Sequence, residues 1–158
     1  MKVITLLCCL FPYFSNCQIR DTVPLKGANK VTVKNNRSVR QNFFLLQSSF
    51  LDKGYTVIIN YKDLTVQTKD SLIENGTASY TLSGFAKGDS VVLTGSYKVM
   101  VVTSIMGEEK VYNYDIANSG FQGGLSRKMF AALENIAKGI NGIIFYTKEK
   151  KKKRGFIL

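Results

Sequence analysis

Histidine and tryptophan are absent from this 158-residue chain, and its three cysteines, Cys8, Cys9 and Cys17, all stand before Gln18. Without histidine there is no imidazole base, no Ser-His-Asp triad and no ordinary zinc site. The cysteines sit in an opening that runs from Met1-Lys2 through an apolar stretch, Val3 to Phe14, to Ser15-Asn16-Cys17-Gln18. One basic residue, a short apolar core and small or polar residues at a cut site form the pattern of a secretory signal. With the signal removed, the mature chain keeps no cysteine, or Cys17 alone if that residue is retained, so neither a thiol nucleophile nor an internal disulfide framework is expected. Later segments fall short of the roughly 20 apolar residues that span a bilayer.

Two exits from the signal are open. Cleavage after Cys17, with Ser15 and Cys17 as the small residues, leaves Gln18 first. Alternatively Phe14-Ser15-Asn16-Cys17 acts as a loose lipobox, and Cys17 is the candidate lipidation site. Either exit predicts an exported protein, periplasmic or secreted, or lipid-anchored to the outer membrane.

The apolar fraction of 45% and charged fraction of 21% are those of a globular domain. The formal charge of +11 is unevenly spread. Lys148, Lys150, Lys151, Lys152, Lys153 and Arg154 crowd the carboxyl end with only Glu149 among them. Such a tail suits anionic lipid or another phosphate-rich envelope component. The plainer expectation is a disordered, solvated end. Export argues against nucleic acid as the partner.

Residues 18–30 are polar and irregular, broken by Pro24 and Gly27, and are expected to form a linker. Lys30–Lys34 alternates as a short strand. Val39, Phe43, Leu46 and Phe50 then recur at helical spacing behind Ser38, a good N-cap, and ahead of Gly54, so a helix is predicted over 38–53. Strand signals follow at 55–61, 64–68, 77–83, 90–103 and 109–116, with turns at Lys62-Asp63, Asn75-Gly76, Lys87-Gly88-Asp89 and Gly107-Glu108. Gly95 is expected to bend or bulge the longest of them. After a Gly-rich loop, Leu125, Met129, Ala132 or Leu133, Ile136 and Ile140 form a second helical stripe, with Ser126 as its cap and Gly139 as its stop. Ile143–Tyr146 suggests a last short strand. The order β-α-β-β-β-β-β-α, with a final β, predicts an α+β fold: an antiparallel sheet of about five or six strands with two helices on one face. Residues 31–147 form one domain and 148–158 a basic tail.

No constellation names a reaction. Gly120, Gly123 and Gly124 lead into a helix start bearing Ser126, Arg127 and Lys128, an arrangement able to hold an anion. The stretch lacks the Gly-Lys-Ser/Thr ending of a nucleotide loop, and a flexible strand-to-helix connection explains the glycines equally. The acidic residues fall mostly at turns and strand ends, with no evident glycosidase pair and no dense calcium loop. No cofactor or metal site is expected. The tyrosines at 55, 61, 80, 97, 112 and 114 take alternate-face positions in strands and are expected to pack in the core or at its rim.

Two stretches carry a resemblance. Ser38–Lys69 holds an aromatic-rich helix ending in Asp52-Lys53-Gly54-Tyr55, then a strand, a Lys-Asp turn and Leu64-Thr65-Val66-Gln67-Thr68. The second runs from Ser83-Gly84-Phe85 through Tyr97 and is followed by the helix at 126–139. Together they resemble the helix-on-antiparallel-sheet modules of small bacterial envelope lipoproteins, such as the lipoprotein subunit of the outer-membrane barrel-assembly machine. The resemblance implies a non-enzymatic envelope protein that binds or scaffolds. An exported accessory or binding protein that docks an envelope protein or anionic envelope component is therefore the leading expectation. An anion- or lipid-headgroup-binding module and a secreted carboxylate hydrolase remain as alternatives.

Overall fold

A computed structural model describes residues 20–73, 76–103, 108–120 and 124–149. The element order is β1 (Arg20–Asp21), β2 (Lys30–Lys34), α1 (Val39–Asp52), β3 (Val57–Asn60), β4 (Thr65–Thr68), β5 (Ser71–Leu72), β6 (Ala78–Lys87), β7 (Ser90–Thr103), β8 (Glu108–Asp115), α2 (Leu125–Ile140) and β9 (Ile143–Thr147). Among the described residues all strands join one antiparallel nine-stranded sheet ordered β1-β9-β2-β7-β6-β4-β3, with β5 beside β6 and β8 beside β7. The α+β class with two helices on an antiparallel sheet is thus as expected. The sheet exceeds five or six strands because β9 joins it and because β1 and β5, two residues each, carry too little pattern to be read.

The helices pack on each other and on the same side of the sheet. Ser38 opens α1 as a reciprocal capping box, its hydroxyl accepting from the Gln41 amide and the Gln41 side chain accepting from the Ser38 amide. Beneath the helices lies the core. Leu46 and Phe50 of α1 and Phe130, Leu133, Ile136 and Ile140 of α2 meet Val31, Val33, Val66, Leu82 and Leu93 of the sheet, all essentially without solvent contact. Gly84 permits this approach, since a Cβ there would lie 2.6 Å from a Leu46 methyl and 2.8 Å from one of Leu93. Gly95 lies within the continuous β6–β7 register rather than at a bulge, and the Ile116 side chain fills the space a Cβ would need.

The second helix differs from expectation at both ends. Its N-cap is Gly124, so Ser126 falls inside the first turn; it ends at Asn141, which takes a left-handed φ of 64°, while Gly139 stays helical. Gly139 is needed for close packing instead: a Cβ there would sit 2.9 Å from the Ser49 hydroxyl of α1.

The stretch expected as a linker is built into the domain. β1 pairs with β9, Ala28 is fully buried, and the Gly27 amide donates to the Asn118 carbonyl at 2.6 Å while the Asn118 amide returns a bond to Ala28 at 2.7 Å. Backbone pairing and the buried Ala28 achieve this where the sequence shows no apolar periodicity. The first tail residues are attached too, Glu149 pairing with Lys30 and receiving a bond from Asn29. Among the described residues no helix is long and apolar enough to cross a membrane.

Candidate functional site: the helix-free face of the sheet

Strand side chains alternate between faces, so with Leu82, Gly84 and Ala86 against the helices, Thr81, Ser83 and Phe85 point the other way. On β7, Val91 and Leu93 enter the core while Val92, Thr94 and Ser96 face outward. No helix covers this second face among the described residues. Registers bring Phe145 of β9, Thr32 of β2, Val92 of β7 and Phe85 of β6 into one rung. Three strand spacings of about 4.8 Å separate the two phenylalanines, so they wall a trench floored by Thr32 and Val92.

Three cavities follow one another along the β6–β7 pair on this face. The first, about 520 Å³, holds that rung with Lys30, Lys34 and Lys87 at its rim. The second, about 470 Å³, is lined by hydroxyls of Thr81, Ser83, Thr94 and Ser96 together with Gln67 and Asp70. The third, about 380 Å³, is more apolar, with Leu72, Met100 and Val111. The face therefore reads aromatic, then hydroxyl-lined, then aliphatic along one line.

Its charges are largely paired. Lys34 meets Asp89 at 3.4 Å, Lys30 meets Glu149, and Lys98 meets Asp70 at 3.3 Å. The Thr81 hydroxyl donates to Asp70 at 2.6 Å, and this bond, followed by the one from Lys98, holds the Asp70 carboxyl below its ordinary range. Lys87 makes no ion pair among the described residues and is the cation of this rim left for a ligand. Among the same residues no group of three histidine, cysteine or acidic side chains is placed to hold a metal.

The residues singled out in the sequence lie elsewhere. Gly120 is exposed with a φ of 88°, and Gly124, Ser126, Arg127 and Lys128 come together at the start of α2. The Ser126 hydroxyl is committed to Ala117, accepting its amide at 3.0 Å and donating to its carbonyl at 2.9 Å. The amides of Arg127 and Lys128 turn inward to the Gly124 carbonyl at 3.1 Å, and both side chains are exposed. Lys148 is exposed against Gly27. Cys17, Gly123, Lys150, Lys151, Lys152, Lys153 and Arg154 lie outside the described residues.

The open face is hard to read in the sequence because its residues are mostly short and polar at the centre and are scattered over seven strands. The usable signal was the phase of β6 and β7, where Thr, Ser and Phe alternate with the core residues, but only the strand order puts Phe145 and Phe85 in one rung. The tyrosines divide. Tyr146 is buried, Tyr55, Tyr80 and Tyr97 pack partly against the core, and Tyr61, Tyr112 and Tyr114 are exposed.

No family model and no curated protein matches the chain. Among solved structures it is similar to the crystal structure of a TBP-like protein from Parabacteroides distasonis ATCC 8503, at 15% identity and a TM-score of 0.37, over 75% of this chain and 98% of that one.

Proposed function

We propose that this chain is an exported, non-enzymatic accessory protein of the cell envelope that docks its partner on the helix-free face of the sheet. The observation that carries the reading is the uncovered trench along β6–β7, with an aromatic rung at one end, hydroxyls in the middle and aliphatic side chains at the other. A face of this mixed kind offers apolar anchors surrounded by hydrogen-bonding groups, the anatomy of a docking surface. Lys87 and the carboxyl-terminal cations steer the encounter toward anionic envelope components. The signal-like opening and the resemblance to envelope lipoprotein modules support the setting.

Photo-crosslinking in cells tests it. A benzophenone amino acid placed at Thr32 or Thr94 of the full-length exported chain should trap one discrete partner, whereas the same probe at Arg40 on the outer side of α1 should not. Phe85→Asp should abolish the product. Adducts from Arg40 alone, or none from the sheet face, would refute the docking assignment. Fractionation with intact mass on the same cells reads export: the expected product lacks residues 1–17 or carries lipid on Cys17, and a retained opening segment in the cytoplasm contradicts it.

A further inference from the structure

The β7–β8 hairpin reaches past the helix-covered half of the sheet. Along one edge of β7, residues 90–93 pair with β2 and residues 96–103 with β8, while β6 pairs the other edge only as far as Val99. β8 is thus an eight-residue edge strand, far longer than the edges at β1 and β3. Both faces of the hairpin carry exposed apolar side chains here: Met100 (44%) of β7 and Val111 (53%) of β8 on the helix-free side, Tyr112 (45%) and Tyr114 (45%) of β8 on the other. The edge carries no proline and its register is unbroken over residues 108–115. Such an edge is a template for another strand.

We propose that the occupant is β8 of a second copy of this chain, paired antiparallel about a two-fold axis at Val111. The charges of β8, Glu108-Glu109-Lys110-Val111-Tyr112-Asn113-Tyr114-Asp115, select both the partner and the register. Two registers give the longest overlaps. Centred on Tyr112, pairing covers 109–115 and sets Glu109 opposite Asp115 of the second copy, a like-charge pair. Centred on Val111, it covers 108–114, sets Lys110 opposite Tyr112 and Glu109 opposite Asn113, and opposes no like charges. Lys110, which on a free edge would discourage pairing, gains the face of a tyrosine ring. On the helix-free side the same register lines up Met100, Val111, Val111 and Met100 across four strands, closing an apolar strip that is open in one copy. Tyr114, stacked on Tyr97 at 5.2 Å and 24°, ties the edge strand to β7 on the other face. The isologous contact also follows the symmetry that most homodimers adopt.

The test is the solution mass of the mature exported chain from about 1 to about 500 μM, by light scattering and sedimentation equilibrium. A concentration-dependent doubling is expected. Val111→Lys sets two lysines face to face and should weaken association at least about tenfold, with an unchanged circular dichroism spectrum and thermal midpoint because the site is half exposed. Oxidation of single-cysteine variants, with Cys8, Cys9 and Cys17 replaced by serine, reads the register directly. Val111→Cys should give a reducible dimer, and Tyr112→Cys or Asn113→Cys should not, because those positions lie beyond disulfide reach of their own copies. A monomer at every concentration, a dimer indifferent to Val111→Lys, or crosslinking that peaks at another position overturns the proposal. The first of these outcomes would leave β8 to a strand from a different protein.

Discussion

At Gly84 one missing methyl group sets how closely α1 rests on the sheet. The Leu46 and Leu93 methyls that a Cβ would strike are themselves fully buried, so neither can swing into solvent. Gly84→Ala is therefore an overpacking change, expected to destabilise by about 1–3 kcal/mol in urea or thermal unfolding while leaving the open face intact. Tyr146 shows the opposite use of a core position, a polar tip buried with its partner. Its hydroxyl donates to Glu134 at 2.8 Å, and burial, followed by that bond, pushes its pKa from 10.0 to about 12. Tyr55 is raised to about 12 as well, by burial and then by the neighbouring Tyr80. The sign follows from linkage. Below about pH 10 both states keep the proton and the contribution is whole; between about 10 and 12 only the unfolded chain ionises, so stability falls as pH rises; above about 12 it is gone. Unfolding midpoints measured from about pH 8 to about pH 11.5 should fall, and Tyr146→Phe should make that fall shallower while lowering the midpoint near neutrality through the lost bond. An unchanged alkaline slope in Tyr146→Phe would contradict the assignment.

Among the elements, α1 is the one whose sequence and structure agree most closely. The spacing of Val39, Phe43, Leu46 and Phe50 predicts a helix over 38–53, and the helix occupies Val39–Asp52 with Ser38 as its cap and Gly54 left-handed at φ 78° behind it. Because Ser38 is exposed and its bonds are local, Ser38→Ala should cost about 1 kcal/mol and change little else, as thermal unfolding would show. A loss below a few tenths would mean water replaces the cap fully. Similar local rules made β2, β6, β7, β8 and α2 legible, since each has its own periodicity or turn. What local rules miss is partnership. β1 and β5 are two-residue pairings that exist only because β9 and β6 lie alongside. Residues 18–30 carry no local signal of structure because the bonds that fix Pro24 to Asn29 run to Asn118 and Thr147, more than ninety positions away. The candidate face was hidden for the same reason: Phe85 and Phe145 are sixty residues apart, and their shared rung depends on β9 entering between β1 and β2.

At the scale of the molecule, the sheet is one continuous ladder with two unequal halves. Under the helices, Val31, Val33, Leu82, Val91 and Leu93 lose all solvent contact, and opening those strands means exposing the whole core. In the projecting half, Met100, Val111, Tyr112 and Tyr114 stay partly exposed, and among the described residues β8 is bonded on one side only. Cooperative stability should divide along this boundary, because local opening is cheapest where few buried contacts are lost. Hydrogen exchange at low micromolar concentration should accordingly show amides of residues 110–115 exchanging well ahead of those at 31–33, 82–86 and 91–93. The protected group should track the global unfolding free energy, and Gly84→Ala should speed its exchange while leaving β8 nearly unaltered. Uniform protection across both halves would instead make the hairpin part of the same cooperative unit as the core. Raising the concentration adds a second reading to the same experiment. If two copies join at β8, its exchange should slow as the dimer populates while the core amides keep their rates. The exposed edge thus belongs to the projecting half, whereas the rung of Phe145, Thr32, Val92 and Phe85 lies on the back of the half that the helices cover and shares its rigidity.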